Sequence, residues 1–456
     1  MIRSRPSFRR IQPRLETLED RKLLYATLGA NWAFGSRITF SVVPDGTDIG
    51  GLPSALFQSL NSRGISSSQA IGAFQKAAAA WESVTNINLS LVPDSGASFG
   101  AVGNQQGDPD FGDIRIGGAA LASNVLATCF LPPPINGGTL AGDIVFNTSQ
   151  AWKINSDFDL QTVAIHEIGH SLGLDHSAIT SAVMYASYNG MKQSLTADDI
   201  TGLQSVYGTR SNDAFDTAAP NNSYTTSTNL NGYLNTNAQV RLGALDITTS
   251  SDNDWYVITA PAGTTGSLTV SMQSANLSLL SPKVTIYSAG LQVLASDTKA
   301  LSFGATATPA TIAGVVPGQK FYIRAQAASG GTSGVGGYGL IVNFGSGAMT
   351  PIDPPVTIVS SKPDQGGGSS NQQFGEVRIV SVGMLQGLGD DLMMGNLPRG
   401  YGSVTVGVPS LPSSPIATWL AFLPPDSLAK LQRLEKLSDR ATLLKAIDDV
   451  LVTWMS

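Results

Sequence analysis

The stretch HEIGHSLGLDH, residues 166–176, decides how this chain is read. Positions four apart on a helix share a face, so a helix here points the imidazoles of His166 and His170 to one side. Gly173 is the residue able to take a left-handed conformation and end that helix, after which the reversed chain can present His176. Three neutral imidazoles and one open position make a catalytic zinc site, with Zn–N distances of about 2.0–2.1 Å. Glu167, adjacent to the first ligand, is placed to act as general base. The whole chain has 3 histidines, and all of them stand at these positions, which for ordinary core or surface histidines would be a coincidence.

Working outward, 456 residues exceed what one hydrophobic core organises, so two or three domains are expected. With 49 Gly, 24 Pro and 13% charged residues, the chain reads as globular and turn-rich with much β structure. A net charge of −6 offers no basic field for nucleic acid. The single cysteine, Cys129, cannot form an internal disulfide and reads as a small buried apolar residue. No apolar run reaches the length of a membrane span.

Residues 1–28 carry a basic cluster followed by a short apolar run, and Arg14 to Ala26, RLETLEDRKLLYA, resembles a leader of exported bacterial proteins, which implies secretion or display at the cell surface. The β-rich Arg37 to Val43 predicts a strand. Ser66 to Ser68 offer helix N-cap oxygens ahead of an apolar stripe at Ile71, Phe74, Ala78 and Trp81. Further strands are expected at Ile87 to Val92, Asp113 to Ile116 and Asp143 to Phe146. After Gly208, short alternating segments such as Trp255 to Thr259 and Phe321 to Ala325 suggest an antiparallel sandwich over 211–346. Residues 347–373 read as a flexible linker, and 374–456 as a C-terminal region whose leucine stripes predict helices.

Beyond the motif, Phe158 to Ser177 resembles the active-site helix of the matrixins, a group of metzincin metallopeptidases. SAVMY, Ser181 to Tyr185, resembles their Met-turn. Ala73 to Thr85 and Leu195 to Gly208 are similar to their first and last catalytic-domain helices. The resemblance implies an α+β catalytic domain over 29–210, with a twisted, mostly parallel sheet, and makes Met184 the floor of the zinc site. It also implies endopeptidase activity on extracellular proteins or peptides. Asp198 and Asp199 match an acidic pair with structural roles, or are solvated charges at a helix start. Asp113 and Asp143 match positions that ligate calcium in the family, the plain alternative being turn-capping aspartates. The family's second zinc is excluded, because Thr128 and Val145 stand at its ligand positions; Asn147 and Gln150 replace carboxylates of another calcium site. No propeptide with an inhibitory cysteine is expected, since only about ten residues lie between the leader and the first strand. Asp252 to Met272 looks like the sandwich domains appended to bacterial secreted peptidases, which would serve to attach to a surface or capture substrate. The rival reading is an adhesive or scaffolding protein with a vestigial metal domain.

Overall fold

In the computed structural model, the alternating run after Arg37 becomes strand β1 (Ile38–Val42), and helix α1 (Leu56–Ser62) follows it. Helix α2 (Ser67–Glu82) starts at Ser66, whose side chain accepts from the Gln69 amide while the Gln69 side chain accepts from the Ser66 amide, a capping box. Strands β2 (Leu89–Leu91), β3 (Asn104–Gln106), β4 (Ile114–Ala119), β5 (Ala127–Cys129) and β6 (Ile144–Asn147) come next. They precede helix α3 (Leu160–Ser171), strand β7 (Ser187–Tyr188) and helix α4 (Ala197–Tyr207). The structure describes residues 25–299, 302–307, 309–360 and 385–386; most of the expected leader and all the expected C-terminal helices lie outside them.

One sheet runs in the order β2-β1-β4-β6-β5, and every ladder is parallel except the one joining β5 to β6. Helices α2 and α3 share one apolar core with it. Phe74 meets Phe146 at 5.3 Å between ring centroids. Trp81, wholly buried, donates from Nε1 to the carbonyl of Ile165 at 2.8 Å, which ties α2 to the middle of α3. Burying side chains of this size contributes about 1.5–3 kcal/mol each before the entropy of ordering is subtracted.

After α4 comes a short helix α5 (Ala214–Ala218), and then strands β8 (Thr228–Asn229), β9 (Gln239–Ile247), β10 (Asn253–Thr259) and β11 (Ser267–Gln273). They continue as β12 (Pro282–Ser288), β13 (Val293–Thr298), β14 (Ala310–Ala313), β15 (Lys320–Ala327) and β16 (Gly336–Asn343). One sheet has the order β13-β12-β15-β10-β8 and the other β14-β11-β16-β9. Inward residues of both, among them Val240, Tyr256, Val270, Ile286, Phe321 and Leu340, form a single apolar cluster. The period-two burial of β10 and β15 is the alternation the sequence displays.

Residues 347–360, the first part of the segment read as a linker, are held in place. Arg241 donates to the carbonyls of Thr350 and Pro351, and the Ile352 amide donates to Gln273 Oε1 at 2.8 Å. The Ile352 side chain fills the space beside Gly243 and Gly339, where any Cβ would crowd it. The segment ends in β17 (Val359–Ser360), which pairs with β3, and farther on β18 (Leu385–Gln386) pairs in parallel with β7.

The two halves meet through buried polar groups. Arg210 bonds both oxygens of Asp246, at 2.7 and 2.6 Å, and reaches Asn88 Oδ1 and the Ile87 carbonyl. Glu82, at the end of α2, accepts from the amide of Leu89 at 3.0 Å and from that of Leu279 at 3.1 Å, and Leu279 itself joins the core of the first half. Burial pushes the Glu82 carboxyl up to about 8, against the weaker pull of Arg210. The folded chain therefore holds this proton more tightly than the unfolded chain does, and the stabilisation is present in full below about 4.5 and lost as pH rises through about 8. Between pH 5 and pH 8, the unfolding free energy is expected to fall further in the native protein than in Glu82→Gln, by on the order of a few kcal/mol, read by denaturant unfolding; equal slopes would mean that Glu82 ionises freely.

Candidate metal centre

Asp159 caps α3 by accepting from the amide of Thr162, and the helix carries His166, Glu167 and His170, all wholly buried. Gly173 has φ +107°, and a Cβ there would lie 2.1 Å from the carbonyl oxygen of Ala30, so only glycine lets the chain turn at that point. The turn is fixed by the Leu174 amide donating to Gly169 O and the Leu28 amide donating to Gly173 O. It brings His176 back towards α3: ring centroids lie 4.6 Å apart for His166 and His170, 5.3 Å for His166 and His176, and 4.9 Å for His170 and His176.

The tautomers are set from outside the centre. His166 Nδ1 lies 2.8 Å from the carbonyl of Val183 and His170 Nδ1 2.7 Å from that of Leu174, so each donates there and turns a bare Nε2 inward. The two Nε2 atoms are 3.0 Å apart, and the buried Nε2 of His176 has no hydrogen-bond partner. One ligand atom from each of the three rings lies within 4.8 Å of the others. Two nitrogens bound tetrahedrally to one zinc at about 2.0–2.1 Å would be roughly 3.3 Å apart, so the trio fits that ion. Burial, reinforced by the neighbouring ring of His176, pushes His166 down to about 3; burial likewise pushes His170 well down and His176 to about 4. Neutral imidazoles, the form that ligates metal, therefore persist well into the acid range.

Beneath the rings Met184 is buried, and its sulfur occupies the space a Cβ on Gly169 would need. Asp199 holds the Met184 turn from below, accepting from the amides of Val183 at 3.0 Å and Met184 at 3.1 Å, while Asp198 accepts from the Ser177 hydroxyl. Both aspartates are buried, so the acidic pair braces the turn and is not a solvated helix start. Cys129 is buried, and burial raises its thiol well above the ordinary range, with Glu167 adding to the effect.

Residues 56–208 match the sequence family described as matrixin. They form a matrixin domain. Karilysin of Tannerella forsythia is 47% identical over 87 residues, which cover 19% of this chain and 18% of karilysin. Matrilysin of Rattus norvegicus is 44% identical over 92 residues, or 19% of this chain and 33% of matrilysin. Metalloendoproteinase 2-MMP of Arabidopsis thaliana is 31% identical over 151 residues, or 30% of this chain and 37% of that protein. The chain thus spans between about a fifth and two fifths of the length of these relatives.

Elsewhere in the matrixin domain, Asp113 and Asp143 stand at the starts of the neighbouring strands β4 and β6. Asp113 accepts from the amides of Thr39 at 2.8 Å and Gly107 at 2.6 Å; Asp143 accepts from that of Arg115 at 2.9 Å and leaves its buried Oδ2 without a hydrogen-bond partner. Among the described residues they belong to no group of three convergent ligands. Such a group does occur outside the matrixin domain, at Asp216, Asp252 and Asp254. The sequence hides it because Asp216 lies at least 36 residues before Asp252 and Asp254, and only the fold brings it to them.

Proposed function

We propose that the chain is a secreted zinc-dependent endopeptidase that cleaves extracellular proteins or peptides. The supporting observation is the inward convergence of three neutral imidazoles with Glu167 on the same helix. A zinc ion held by His166, His170 and His176 would supply Lewis-acid polarisation and an acidified water. The second-layer carbonyls of Val183 and Leu174 keep the rings aimed while substrate enters. Glu167 accepts the proton of the attacking water and delivers it to the departing amine. Residues between Met184 and Leu195 line the pocket for the side chain after the cut, and the two-sheet domain that follows presents substrate or anchors the enzyme outside the cell. Among the described residues no helix is long and apolar enough to cross a membrane.

The test is cleavage of a quenched peptide by the full chain before chelation, after it and after zinc is returned. Activity should vanish with the metal and come back with zinc. Cleavage that survives chelation would remove the proposal.

A further inference from the structure

The loop between Met184 and Leu195 contains β7, and beyond it Gly190, at φ +116°, turns the chain so that Met191 stands half exposed at the tip. A loop of this kind keeps one shape only if its polar groups are tied to the elements around it. Asn189 Nδ2 donates to the Thr180 carbonyl at 2.9 Å, and Gln193 Nε2 donates at 3.0 Å to Oδ2 of Asp159, the N-cap of α3. Lys192 makes the most ties. Its ammonium donates to the carbonyls of Thr180 at 2.7 Å and Ala182 at 2.8 Å, and its backbone amide donates to the Thr162 hydroxyl oxygen, on α3, at 3.0 Å.

Two facts single this lysine out. Among the described residues its ammonium forms no salt bridge; carbonyl oxygens hold it, 5.3 Å from the centre of the Tyr185 ring. It is half-buried, and that burial pulls it below its ordinary value against the opposing charge of Asp199. A cation with no ion pair to make is there for its reach and its donors. The carbonyls it grips also stand next to the metal centre. Ala182 directly precedes Val183, whose carbonyl orients His166, and Met184 follows beneath the rings. Lys192 therefore joins the middle of the loop to the segment that aims a metal ligand.

We propose that Lys192 is a positioning residue that latches this loop to the turn beneath the metal centre and so sets the selectivity of the pocket for the side chain after the cut. The inference rests on the peptidase reading above. A latched loop offers a preformed wall, whereas a free loop must be ordered by each substrate at an entropic cost and then admits unlike side chains more evenly. Because the wall meets the substrate side chain and not the reacting atoms, its loss weakens ground state and transition state alike, and falls on KM and not on kcat.

The experiment measures KM and kcat of the zinc-loaded full chain on quenched peptides that differ only in the residue after the cut, from alanine through leucine to phenylalanine. In Lys192→Met, KM for the preferred peptide should rise and the preference across the series should shrink, each about ten-fold, with kcat and zinc content near native. Lys192→Arg keeps a cation with donors for both carbonyls and should restore most of the preference. A lysine with only a structural role would lower Tm and the active fraction while leaving the ranking of the peptides unchanged, and that result overturns the proposal. Should Lys192→Met fail to fold, Asn189→Ala removes the neighbouring, exposed tie to Thr180; an unchanged ranking there overturns it equally. Native protein that cleaves none of the peptides refutes the peptidase reading and the latch with it, whereas a native enzyme whose ranking Lys192→Met preserves refutes the latch alone.

Discussion

Glu167→Ala is expected to lower kcat for peptide cleavage by about 10²–10⁴-fold while zinc content and Tm stay near those of the native protein. The side chain sits one residue after His166, on the helix that supplies two of the three imidazoles, so its loss removes the proton carrier and leaves the rings and their carbonyl partners in place. A merely structural glutamate would behave the other way, with stability suffering and turnover per folded molecule preserved. Glu167→Gln keeps the shape and removes the basicity, and should match the alanine variant in turnover. If either variant kept activity within a few-fold of native, Glu167 would not be the base.

Gly173→Ala should be the most damaging substitution of a single methyl group in the catalytic half. Alanine would have to adopt φ near +107° and place its Cβ 2.1 Å from the backbone oxygen of Ala30, which cannot swing aside as a side chain could. Strain and overlap together cost roughly 2–5 kcal/mol. Any relief comes from moving the turn, and His176 lies three residues beyond it. Zinc affinity should therefore fall along with Tm, a pairing that a remote core defect would not produce. Native zinc affinity in a destabilised Gly173→Ala protein would show that the turn does not position the third ligand.

The metal centre was legible because it is mostly local. Helical spacing sets His166 against His170, and a glycine where the helix must stop accounts for His176. The strand at Ile38–Val42 and the start of α2 at Ser66 were legible for the same reason, since alternation and capping are written into neighbouring residues. Strand β5 was not, being three residues long and defined only by its antiparallel partner. Nor did the sequence reveal that residues 347–360 lie against both halves, because the contacts of Arg241, Gln273 and β3 that hold them come from more than 75 residues away in every case. The burial of Glu82 is equally non-local, because the Leu279 amide that bonds it comes from 197 residues farther along the chain.

That last contact bears on how the protein can be dissected. A fragment cut after Gly208 would carry every residue of the metal centre, yet it would be missing a piece of its own interior, the socket filled by Leu279. Glu82 would be left facing water with one amide donor in place of two. The seam a reader would draw along the chain at the end of α4 is not a seam in space, and an excised peptidase half would start life with a wound that the intact polypeptide closes.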